Sequence, residues 1–123
     1  MGGTALDSKA FAYQAAEILA SHNARDVLVM DIAETAGWAD YFVIATSTSS
    51  VQMRGLERHI EELLNSNGES LLNRPVIADD QRWLLMDAGN VVIHIMSEEA
   101  RVFYDLESLW FNAPRFSVSA PLQ

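Results

Sequence analysis

Trp83-Leu84-Leu85-Met86-Asp87-Ala88-Gly89-Asn90-Val91-Val92-Ile93-His94-Ile95-Met96 reads as two strands joined by a tight turn. Aliphatic and β-branched residues stand on both sides of Gly89-Asn90, a pair that tolerates the backbone angles of a two-residue hairpin turn. With that turn, Ala88 pairs with Val91, Asp87 with Val92, Leu85 with His94 and Trp83 with Met96. Alternation then puts Trp83, Leu85, Asp87, Val92, His94 and Met96 on one surface, and Leu84, Met86, Val91, Ile93 and Ile95 on the other. The second set is uniformly aliphatic and belongs to the core. The first mixes large apolar groups with an acid and an imidazole, the composition of an interface if the face is left uncovered. A helix or loop of the same chain lying over it would account for the mixture equally well.

Outward from the hairpin, Asp40 to Ala45 is a strand that becomes apolar on both faces and is therefore central in the sheet. Val27 to Ile32 is a further β-branched run, and Pro75 confines a short strand around Arg74 to Ala78 to an edge. Phe11, Ala15, Ile18 and Leu19 form one stripe of a helix from Asp7 to His22, capped by Asp7 or Ser8. After the hydroxyl-rich Thr46 to Ser50, Ser49 and Gln52 fit a capping box. The helix they open carries Leu56, Ile60, Leu63 and Leu64 on one face and closes at Asn67-Gly68. Ser97 caps a last helix, with Glu98 and Glu99 favoured in its first turn. Its expected apolar stripe is Phe103, Leu106 and Trp110; Arg101, Tyr104, Asp105 and Ser108 line the other side. The expectation is one α/β domain over residues 9–112, a mixed sheet of about five strands with helices packed on it. An N-terminal extension, 1–8, precedes it and a mobile tail, 113–123, follows.

Composition narrows the function. The chain has 123 residues, enough for one domain. Its formal net charge is −9, with only one lysine and seven scattered arginines. Nucleic-acid binding needs a basic footprint that is missing here, whereas a basic protein partner would be attracted. The absence of cysteine excludes disulfide scaffolds, zinc ribbons and thiol catalysis. Apolar runs such as Tyr41 to Ala45 fall far short of the roughly 20 residues that span a bilayer, so no membrane role is expected. No basic segment followed by an apolar one opens the chain, and Leu6 occupies the position after Met1-Gly2-Gly3 where myristoylation wants a hydroxyl. A cytoplasmic protein is expected.

Asp31, Asp40, Asp87 and His94 all fall at strand positions, and oxygen with imidazole suits a divalent metal. No ligand spacing motif joins them, and acids at strand ends more often form turns and caps. Ser47-Thr48-Ser49 has neither the glycines nor the lysine of a phosphate-binding loop. No catalytic residue, metal or cofactor is expected from these patterns.

Three segments, Ala39 to Thr46, Trp83 to His94 and Arg101 to Trp110, resemble the Iojap family, the ribosomal silencing factors. The similarity runs from about Lys9 to Trp110, and the hairpin followed by Arg-x-x-Tyr-x-Leu-Glu-x-Leu-Trp carries it. The resemblance implies a fold akin to the nucleotidyltransferases without their catalysis. The chain indeed lacks a Gly-Ser followed by an Asp-x-Asp pair. It further implies binding to ribosomal protein fourteen of the large subunit, which blocks joining of the small subunit and represses translation when nutrients are scarce. Trp83 matches the family's interface tryptophan, and Asp87, His94, Arg101 and Tyr104 match other signature positions. With Leu85 and Met96 beside them on the mixed face, the candidate partner-binding set is Trp83, Leu85, Asp87, His94, Met96, Arg101 and Tyr104. A homodimer of the free protein would hide the same face. Ser47 replaces the family's usual Gly, Asn90 its usual Asp, and Asp79 to Arg82 lacks the customary Gly. The rival from another class is a nucleotide-acting enzyme of nucleotidyltransferase-like fold, using Asp31, Asp40 and Asp87 around a divalent metal.

Overall fold

Gly89 takes a positive φ of 92° and lets the hairpin close in the expected register. In the computed structural model, which describes residues 7–120, strands β4 (Trp83–Asp87) and β5 (Val91–Ser97) pair Trp83 with Met96, Leu85 with His94 and Asp87 with Val92. The Ala88 amide donates to the Val91 carbonyl over 2.9 Å and completes the turn. Residues 1–6, most of the expected N-terminal extension and the Met1-Gly2-Gly3 start, lie outside the described residues.

Around this hairpin the chain builds β1 (Arg25–Asp31), β2 (Tyr41–Ser47), β3 (Val76–Ala78) and β6 (Arg115–Ser117) into a six-stranded sheet of order β3-β4-β5-β2-β1-β6. β2 and β5 run parallel at its centre, and the other pairings are antiparallel. Both central strands are buried on both faces, as their nearly continuous apolar sequences require. β3 follows Pro75 at one edge, where a missing N–H is harmless.

Helix α1 (Ser8–Ser21) and helix α3 (Ser50–Ser66) cover one face. Phe11, Ala15 and Leu19 meet Leu56 and Ile60 over Val29, Val43, Leu84 and Ile93. Asp7 caps α1 by accepting the Ala10 amide at 2.7 Å. Ser49 caps α3 by accepting the Gln52 amide at 3.0 Å, while Gln52 Oε1 reaches one residue further back than a capping box requires, to the Thr48 amide at 2.7 Å. A short α2 (Ala33–Ala36), closed by Gly37 at φ 79°, leads into β2. Helices α4 (Glu98–Tyr104) and α5 (Leu106–Leu109) lie on the opposite face, with Ala100 and Leu106 packed on Met30, Phe42, Ile44 and Met96.

Two expectations are corrected. The last helix is not continuous: Asp105 adopts φ 45° and ψ 56°, ends α4 and starts α5. A short side chain makes this left-handed conformation tolerable, and the Asp105 carboxylate accepts from the Ser108 hydroxyl at 2.6 Å. The break rotates the stripe, so that Leu106 stays buried, Trp110 is half-buried and Phe103 points outward at 78% exposure. The segment expected as a mobile tail contains β6, which pairs Ser117, Phe116 and Arg115 with Leu28, Val29 and Met30. Three residues are too few to register as a strand by alternation alone.

Candidate protein-binding surface

β4 is the next-to-edge strand, flanked on one side by only the three residues of β3. Its outward row, Trp83, Leu85 and Asp87, is half-buried. The neighbouring row of β5 is not: Val92 and His94 are each 4% exposed and Met96 is fully buried. The mixed face is therefore covered by the chain itself over β5 and open only along β4. Contact of His94 and Met96 with a partner, expected from alternation, does not fit their burial beneath α4, Phe42 and Trp83.

The Trp83 indole N–H donates to His94 Nδ1 at 3.1 Å. Accepting at Nδ1 places the imidazole proton on Nε2, which finds no partner among the described residues and sits in a ring packed edge-on to Phe42, centroids 4.6 Å apart. Burial pushes the His94 pKa down to about 4, so the ring is neutral at physiological pH. On its other side Trp83 meets Tyr104, ring centroids 4.6 Å apart, and Tyr104 meets the exposed Phe103 at 5.0 Å. Phe42 continues the arc in the other direction to Trp38, 60% exposed, at 5.7 Å.

Arg101 is a tie within the fold. Its Nη1 donates to the Asp26 carbonyl at 2.6 Å and to Thr46 Oγ1 at 3.0 Å, and Nε and Nη2 donate to Glu107 Oε2 at 3.3 and 3.2 Å. Only 12% of its side chain is exposed. Its donors are engaged inside the chain, so the expectation of a direct partner contact is corrected to one of holding α4 against the β1 and β2 ends.

Asp87 Oδ1 accepts from the Gly89 amide at 2.9 Å, and Asp31 Oδ1 from the Ala33 amide at 3.3 Å. Both are turn formers. Asp31, Asp40 and Asp87 occupy the same end of the sheet, next to the β2 and β5 starts. Among the described residues, however, no three His, Cys, Asp or Glu side chains converge as a metal site would need.

Of the candidate set, Trp83, Leu85, Asp87 and Tyr104 remain available to a partner. Phe103 and Val102, 76% exposed, adjoin them and were missed because an unbroken helix would have turned Phe103 inward. A family model described as "Ribosomal silencing factor during starvation" matches residues 5–123. This chain belongs to the ribosomal silencing factors. The resemblance drawn from the hairpin and the Arg101 to Trp110 segment therefore holds, and the match reaches past Trp110 through β6. The silencing factor RsfS of Bacillus subtilis is 35% identical over 91 residues, covering 74% of this chain and 76% of that one. A mouse protein named "Mitochondrial assembly of ribosomal large subunit protein 1" is 33% identical over 97 residues, 76% of this chain but 42% of its own length. A crystal structure of a Chromobacterium violaceum protein superposes with a TM-score of 0.79 at 25% identity, covering 86% of this chain and 88% of that one. Membership carries a ribosome-associated silencing role, and the family is named for regulation rather than for a reaction. No described helix of this silencing factor is long and apolar enough to cross a membrane.

Proposed function

We propose that this silencing factor binds the large ribosomal subunit in the cytoplasm through ribosomal protein fourteen. The contact surface is the β4 row Trp83, Leu85 and Asp87 together with Tyr104. A domain seated there occludes the surface needed by the small subunit and so represses translation. No catalytic step is required. The observation that carries the reading is the half-exposed indole of Trp83, fixed between His94 and Tyr104 on a narrow sheet margin. A rigid aromatic anchor loses little conformational freedom when a partner covers it, which is why tryptophan is prominent among interface hot spots. A net charge of −9 speeds approach to a basic ribosomal protein. In the free protein, a second copy covering the same row would form a homodimer.

Trp83→Ala should weaken binding to purified large subunits by roughly thirtyfold. The wild-type protein should sediment with free large subunits in cell extract and inhibit their joining to small subunits, and the variant should do neither. Unchanged affinity of the variant would place the interface elsewhere on the molecule. Sedimentation of the wild type in the soluble fractions alone would remove the ribosomal reading altogether.

A further inference from the structure

β2 and β5 lie side by side and run the same way, yet the helices that follow them leave to opposite faces: α3 packs with α1, and α4 packs over Met96 and Ile44. Divergence of this kind opens a crevice at the carboxyl ends of the two strands. Here the crevice has a volume of about 700 Å³. One wall is the hydroxyl-bearing Thr46-Ser47-Thr48, and the other is the first turns of α4 with Glu98, Glu99 and Phe103.

The lining is acidic on balance. Glu98 and Glu99 make no ion pair among the described residues, and Arg25 is the one cation that lines the crevice with them. Arg82 near Glu99 and Arg101 near Glu98 are paired instead with Asp79 and Glu107. Nucleic acid and free phosphate are disfavoured by these carboxylates and by the chain's net charge of −9. At the mouth, Phe103 and Val102 are 78% and 76% exposed, an aromatic face over which a guanidinium or ammonium can stack. The mouth is continuous with the proposed docking row, because Phe103 touches Tyr104 and Tyr104 touches Trp83.

We infer that this crevice is a second anchor point on the same partner, receiving an arginine or lysine side chain from a basic segment of ribosomal protein fourteen. The cation enters between Glu98, Glu99 and the strand-end hydroxyls, and its stem lies against Phe103. The inference rests on the docking reading above.

The test compares Phe103→Ala, the pair Glu98→Gln with Glu99→Gln, and Trp83→Ala, each titrated against purified large subunits and against isolated ribosomal protein fourteen. Phe103→Ala should bind about tenfold more weakly with an unchanged melting midpoint, since its ring is largely outside the fold. The glutamine pair should bind more weakly and with a shallower dependence of affinity on salt. If both bind as wild type while Trp83→Ala is weakened, the crevice is empty in the complex and this inference falls alone. A loss seen with subunits but absent with the isolated protein assigns the crevice to another component and overturns the named occupant. If Phe103→Ala loses affinity and Trp83→Ala does not, the crevice stands and the docking row falls.

Discussion

Trp83 and His94 meet on the diagonal of the β4–β5 ladder, where their direct partners are Met96 and Leu85, and the indole N–H donates to an imidazole that burial keeps neutral. Both were expected to touch a partner, but the fold buries His94 and leaves Trp83 half-exposed above it. His94 lies under the tryptophan and orients its indole.

This arrangement makes stability depend on pH. His94 has a pKa of about 4 in the folded protein against 6.5 for an unperturbed histidine. Between those values the unfolded chain binds a proton that the folded chain does not, so stability falls as pH drops from 6.5 towards 4 and levels off below. The lost stability is on the order of 3 kcal/mol. Chemical denaturation of wild type and His94→Gln at several pH values should show a steeper acid loss in the wild type. Parallel curves would mean that His94 is readily protonated in the folded state.

Arg101 bridges α4, the β1 start and Glu107, with most of its side chain out of water. Its removal leaves the Asp26 carbonyl, Thr46 Oγ1 and the Glu107 carboxylate short of a donor. Arg101→Met should therefore lower stability by about 2–4 kcal/mol. Arg101→Lys should recover only part of this, because one ammonium cannot reproduce a fork that reaches both sides. Denaturant midpoints of the two variants measure the difference; equal midpoints with wild type would show that the network is dispensable.

The break at Asp105 reverses the roles of two apolar neighbours. Leu106 is 6% exposed and fills the space between Met30, Phe42 and Met96, whereas Phe103 lies in solvent. Leu106→Ala should cost about 2–4 kcal/mol, and Phe103→Ala less than about 0.5 kcal/mol. A continuous helix would predict comparable losses from both. Thermal melts of the two variants discriminate.

The sequence made the hairpin legible residue by residue, because a two-residue turn fixes register and period-two alternation fixes faces. It also exposed the central β2, whose apolar run has no solvated side, and the edge position imposed by Pro75. What alternation cannot tell is which side of a strand the rest of the chain will cover. His94 and Met96 share a row pattern with Trp83 and Leu85, yet α4 and Phe42 bury the first pair and leave the second half-open. Asp105 was unreadable for a related reason. Nothing in a helical stripe announces one left-handed residue, and that residue decides whether Phe103 is core or surface.

β6 offers the sharpest test of the corrected C-terminal reading. Beyond its three ladder pairs, the Asp31 amide donates to the Pro114 carbonyl at 2.9 Å and the Val118 amide to the Val27 carbonyl at 2.9 Å. The Arg115 guanidinium also donates to the Glu107 and Trp110 carbonyls at 3.0 and 3.3 Å, closing the end of α5. Removal of residues 114–123 would expose the backbone edge of β1 and uncover Val27, with which Val118 packs in the α1-side core. A free tail of that length would contribute nothing to folding. The paired strand should contribute several backbone hydrogen bonds worth roughly 0.5–1.5 kcal/mol each, along with its apolar contacts. A chain ending at Ala113 should therefore unfold at clearly lower denaturant, and its β1 amides should exchange with solvent faster than those of β2. Unchanged stability together with unchanged β1 protection would return the segment to the status of a loose tail.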